Sequence, residues 1–150
     1  MVKKIVTLCA LLLLVTGCYE LGEIETSEKS GGIYFSIATN YLNSKNADSY
    51  ILSDLSVAKD NCEKDCVIWT IIRKSEDNPG TQNKTTLPVK YGDKPNGMKV
   101  SINPVDLSTG KYTVAATVGF VKQDKIIGGG LVHGRFELIK NKNNSRLTLK

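Results

Sequence analysis

The sequence predicts an all-β chain folded as an antiparallel β-sandwich of about seven strands. Three observations carry this expectation. Short runs rich in β-branched and aromatic residues recur, each bounded by Gly, Asn, Asp, Pro or Ser. They follow one another at roughly 8–12 residues with no helical crossover between them, the spacing of a sandwich. No long segment places apolar residues at helical period.

In chain order, a targeting segment comes first. "MVKKIVTLCALLLLVTGCYE" has a basic start at Lys3 and Lys4, then an apolar run from Ile5 to Val15. The run is too short for a bilayer core, which needs roughly 20 residues, and right for a secretory signal of roughly 7–15. "LVTGC" at 14–18 resembles the lipobox of bacterial lipoproteins. The resemblance implies that residues 1–17 are removed as a signal peptide. It also implies that Cys18 carries a covalent lipid, palmitate-type acyl chains among it, as the only prosthetic group. Several acyl chains on one residue suffice for stable anchoring. Tyr19 follows the cysteine in place of the aspartate that favours inner-membrane retention, so the expected location is the cell envelope, facing the periplasm, with the outer membrane favoured over the inner.

Removing Lys3 and Lys4 with the signal leaves 133 residues with 18 basic and 15 acidic side chains, a net charge of +3. This is one domain's worth of chain. Residues 18–31, with Glu20, Glu23, Glu25 and Glu28, read as an acidic lipid-anchored tether. Residues 32–150 read as the folded domain. The end, with Lys140, Lys142, Arg146 and Lys150, is basic and reads either as a solvated edge or as a contact for an anionic surface. Nucleic acid is not expected, because no aromatic-basic platform is visible.

The strands are expected at 31–39, 49–58, 66–73, 85–91, 97–105, 110–121 and 125–139, with a last short one at 146–150. On the second, Ile51, Leu55 and Val57 are the inward positions. The third, "CVIWTIIR", is central and carries the only tryptophan, Trp69, as the main core aromatic. Pro88 marks the fourth as an edge. "YGDKPNGM" at 91–98 is a dense turn signal, and 41–48 reads as a loop or a single helical turn. Gly128, Gly129 and Gly130 kink or bulge the seventh strand.

"DLSTGKY" at 106–112 resembles the tyrosine corner of immunoglobulin-like and fibronectin-like domains, through Leu107, Gly110 and Tyr112. The resemblance implies an immunoglobulin-like sandwich in which the Tyr112 hydroxyl reaches back to the backbone. Tyr91, Gly92, Pro95, Gly97 and Phe136 extend the likeness to small bacterial lipoproteins with an immunoglobulin-like domain and no assigned function. A fold of this kind supplies no function by itself.

Cys62 and Cys66, in "CEKDC", are the two cysteines left after Cys9 leaves with the signal and Cys18 takes lipid. Outside the cytoplasm they are expected to form a disulfide across an exposed turn. The alternative is copper binding. Two thiolates with His133, the only histidine, suit soft Cu(I). That set is similar to the Sco-type copper chaperones, although the chain lacks their alternating helices. Thiol exchange is a third reading, with only Lys64 near to lower a thiol pKa.

No nucleophile elbow, paired-histidine metal site or phosphate loop is present, so no enzyme activity is expected. The expected role is a non-enzymatic binding or adaptor module that presents loops 41–48, 74–84 and 122–125, or an edge strand, to an envelope protein. The expected partners are the membrane, through the lipid, and that protein; a small-molecule ligand is not expected.

Overall fold

The computed structural model describes residues 22–64, 66–74, 87–141 and 147–150. The signal segment, Cys18 and the 74–84 loop after Lys74 lie outside the described residues. The elements are β1 (Gly22–Lys29), β2 (Gly32–Ile37), α1 (Thr39–Ser44), β3 (Ser49–Lys59), β4 (Val67–Arg73), β5 (Val89–Lys90), β6 (Met98–Ile102), β7 (Gly110–Lys122), β8 (Lys125–Lys140) and β9 (Leu147–Leu149). Among the described residues the all-β expectation holds, and the polar 41–48 segment supplies the single short helix. None of these residues forms a helix long and apolar enough to cross a membrane.

The strands do not form the expected all-antiparallel sandwich of seven. One continuous ladder runs β5-β2-β1-β8-β7-β3-β4-β6, and β9 adds to the end of β8. One pair is parallel: β1 meets β8 through Gly22↔Val132 and Glu23↔His133.

The cause is β1, which occupies residues expected to be tether. "GEIETSEK" alternates as a strand should: Gly22 and Ile24 are buried, while Glu23 and Glu25 face solvent. A short run of strand alternation is masked in composition by its four charged residues. β1 turns through Ser30 and Gly31 into β2 with Ile24↔Ile37 to Lys29↔Gly32 paired. It thus links β2 to β8 by hydrogen bonds, where a sandwich would leave two separate sheets.

The ladder curls until its ends meet over one core. Tyr91, just past β5, packs edge-on against Trp69 of β4 with centroids 5.1 Å apart. The Tyr50 hydroxyl of β3 donates to the Leu87 carbonyl at 3.2 Å and accepts from the Leu87 N–H at 3.0 Å. Burial pushes the Tyr50 pKa up, against the Leu87 hydrogen bond that pulls it down. Between the layers lie Phe35, Trp69, Tyr112 and Phe136, with Tyr112 stacked on Phe136 at 5.0 Å.

The inward positions of β3 differ from expectation at one residue. Leu55 and Val57 are fully buried in the core, but the inward positions before them are Tyr50 and Leu52 in place of Ile51. The β3–β7 register shifts between Leu52 and Asp54. That extra residue, Ser53, reverses the alternation, so Ile51 is buried on the opposite face, outside the core cluster. On β8 the register shift sits opposite Phe120 and Val121, which makes Ile127, beside the glycines, the bulged residue. The glycines serve close approach: a Cβ on Gly130 would stand 3.2 Å from both the Phe120 ring and the Tyr41 hydroxyl.

Candidate functional site

β8 is the axis along which the candidate features separate. Its first residues form a hairpin with β7, closed by Gln123 and Asp124 in left-handed backbone. Its last residues, Leu138 to Lys140, pair with β9. Gly22 joins it at Val132. We call the hairpin end the entry pole and the β9 end the far pole.

The far pole gathers most of the residues singled out from the sequence. The Tyr112 hydroxyl donates to the Ser108 carbonyl at 2.8 Å and accepts the Ser108 N–H at 3.1 Å. This is the geometry of a tyrosine corner. Gly110, at φ +147°, lets the chain turn between them, and Leu107 packs on the core. A second tyrosine, which the sequence marked only through resemblance, holds the same segment. Tyr91 donates its hydroxyl to the Val105 carbonyl at 2.8 Å. Burial raises the Tyr91 pKa, the Val105 bond opposes this, and the charge of nearby Asp106 adds to the rise. Lys59 completes the set by donating to the Ser108 hydroxyl at 2.8 Å. Residues 103–108 form no strand, yet two tyrosines and a lysine fix them.

Cys62 and Cys66 are bonded, with alpha carbons 5.5 Å apart, at the tip between β3 and β4. Lys59 N–H donates to the Cys66 carbonyl at 2.8 Å, which closes the hairpin below the tip. The two sulfurs are therefore not free thiolates. Nor is His133 near them. Cys66 lies beside Lys59, which faces Tyr112, which faces Phe136, and His133 is a further three residues along β8. Three strand spacings alone are roughly 14 Å. His133 is exposed on β8, beside Glu23. The copper set Cys62, Cys66 and His133 is thus not brought together. No group of three metal-ligating side chains occurs among the described residues.

The fixed 103–108 segment forms one wall of a cleft of about 430 Å³. Ile33, Val105, Leu107, Leu138 and Leu147 give it an apolar lining, and Glu28 and Asp106 place carboxylates at it. The Leu149 N–H donates to Glu28 at 3.4 Å, which ties β9 to the β1–β2 hairpin on the other wall. The basic end also lies here, where Lys150 pairs with Glu137 at 3.2 Å. Lys142 and Arg146 lie outside the described residues. No sequence signal marks this cleft, because its walls come from β1, β2, β8, β9 and the 104–107 segment and meet only through the curl.

The entry pole is built differently. Tyr41 of α1 covers Gly22, where any Cβ would run into its ring, and meets Phe120 edge-on at 5.8 Å. Two of the expected contact loops, 41–48 and 122–125, lie together here: Lys122 donates to Asn46 at 2.6 Å and the Gln123 N–H to Asp48 at 3.0 Å.

No family model, curated protein or solved structure matches this chain.

Proposed function

We propose that this chain is a lipid-anchored protein of the bacterial cell envelope that binds another envelope protein, without catalysis, through the cleft at its far pole. The lipobox-like "LVTGC" and the signal-like residues before it support the anchor at Cys18. An outer-membrane, periplasm-facing location belongs to the same proposal. So does an immunoglobulin-like kinship, which the tyrosine corner favours and the parallel β1–β8 pair opposes.

One observation carries the binding role: the cleft lies toward the end of β8 remote from the hairpin, set off from the point where the anchored end joins the sheet. Val132, paired with Gly22, and Leu138, in the cleft wall, are six residues apart on β8. At about 3.3 Å per residue this is roughly 20 Å. A partner would meet mixed apolar and polar surface, with Val105, Leu107 and Leu147 beside carboxylates at Glu28 and Asp106, and a wall held by Tyr91 and Tyr112. Preorganisation of this kind lowers the entropic cost of binding. The partner chemistry that fits is an apolar side chain beside a cation.

The test uses the full chain in a Gram-negative host. A clickable palmitate analogue should label it, and Cys18→Ala should abolish the label. A photo-crosslinking residue at Val105 should give a discrete protein adduct that Leu147→Asp, on the opposite wall, weakens. An unlabelled chain contradicts the anchor. A labelled chain with no adduct at Val105, or one indifferent to Leu147→Asp, contradicts the cleft.

A further inference from the structure

The entry pole exposes an apolar cluster that the fold does not use. Ile126, Ile127 and Leu131 are 53%, 49% and 51% exposed. Leu131 pairs with Thr117, Gly129 with Gly119, and Ile126 with Val121. Since Gly119 and Gly129 carry no side chains, nothing stands between Ile126 and Leu131 on that strip of sheet. The bulge adds Ile127 as an extra residue at the same place. Lys122 and Lys125 flank the turn, with Asp124 between them.

We propose that this hairpin end, Lys122 to Leu131, seats in the headgroup–acyl boundary of the bilayer that holds the lipid on Cys18. The inference rests on the anchored reading given above. The length of chain ahead of the sheet commits the cluster to that occupant. Cys18 precedes Gly22 by four residues. Four residues reach at most about 14 Å. β1 runs parallel to β8, so Gly22 is entered from the hairpin side. Lys125 stands seven residues beyond Val132 in that direction, or roughly 23 Å by strand rise. With β8 along the membrane normal, the hairpin outreaches a fully extended link by about 9 Å. Ile126, six residues beyond Val132, then lies about 6 Å past the reach of the link, within the roughly 5–10 Å depth at which apolar faces of interfacial segments sit. Ile126 and Ile127, just behind the polar turn Lys122 to Lys125, suit the acyl boundary, and Lys125 can bend its long stem back to snorkel to phosphate. The short link also means that the domain rests on the membrane and is not held off it.

The experiment places a nitroxide on Ile127→Cys or Val105→Cys in the full acylated chain, reconstituted into vesicles of mixed zwitterionic and anionic phospholipid. Trp69 fluorescence checks the fold and intact mass checks the acyl chains. At residue 127 the label should be several-fold less accessible to a water-soluble nickel chelate than at 105, and more accessible to oxygen dissolved in the acyl region. Equal accessibility at the two positions, with acyl chains present, overturns the seat and leaves the anchored reading standing. A chain without acyl groups on Cys18 overturns both.

Discussion

The two ends of β8 are held in different ways. At the far pole the chain is fixed by reach: the Tyr112, Tyr91 and Lys59 side chains extend to Ser108 and Val105, and a disulfide closes the neighbouring tip. From the middle of β8 to the entry pole it is fixed by absence: Gly22 and Gly134 at mid-strand and Gly130 on the hairpin side let aromatic rings and backbone come close. A polar reach fails when one atom is removed. A close approach fails when one atom is added. The two regions should therefore respond to opposite kinds of substitution.

The largest effect is expected at Gly134. Its missing Cβ makes room for the Ile24 carbonyl, where β1 lies against β8. Gly134→Ala forces backbone apart and should lower stability by about 3 kcal/mol, as overpacking does. Urea unfolding reads this; a loss no larger than that of an ordinary surface change would remove β1 from its place in the sheet. Opening the disulfide with Cys62→Ser plus Cys66→Ser should cost about 2 kcal/mol, the loop-closure value for so small a ring. Because the pair is at an exposed tip, the cleft should survive, and Cu(I) should bind no better to the reduced wild type than to His133→Ala.

Tyr112→Phe deletes one atom and leaves the Ser108 N–H without its acceptor. A loss of about 1 kcal/mol follows from the two lost hydrogen bonds, since Ser108 itself is exposed and water can reach its N–H. The same substitution should loosen residues 103–108, seen as faster amide exchange there and not in the β7–β8 hairpin.

Alkaline pH offers a graded version of the same break. Tyr50 and Tyr91 have pKa values raised above the usual 10.0 in the folded chain. A raised acid pKa leaves stability unaffected below the unfolded value. As pH climbs through 10 the unfolded chain releases these protons first, so stability falls. Tyr50→Phe should flatten that fall, measured as the dependence of the urea midpoint on pH. Ile126→Ser with Ile127→Ser is the smallest perturbation of the fold, within about 0.5 kcal/mol. In the chain labelled at residue 127, Ile126→Ser alone should nonetheless abolish the shielding of the hairpin in vesicles.

Much of the strand placement along the chain was readable because each run from β3 to β8 carries its own pattern and punctuation. Trp69, the corner at Tyr112 and the edge at Pro88 were local signals; Trp69 is fully buried as expected, but its strand, expected to be central, stands next to the β6 end of the ladder because the long-range pairing of β1, β2 and β5 extends the other end. Three things were not local. β1 hid because one buried isoleucine, Ile24, alternates among glutamates, and only its neighbours β2 and β8 make it a strand. The continuous ladder depends on that strand. The bulge at Ser53 left no mark in composition but moved the core position from Ile51 to Leu52. Of the candidate site, the Tyr112 anchor was legible. The cleft was not, since Ile33, Leu138 and Leu147 read in sequence as ordinary strand residues and become a lining only after the sheet curls.

The central claim is that the two poles face different surroundings. Photo-crosslinking in cells, from Val105 at the far pole and from Ile127 at the hairpin, tests it in one experiment. The account predicts a discrete protein adduct from residue 105 and a phospholipid adduct from residue 127. The same protein captured from both positions, or lipid captured from 105, would contradict it.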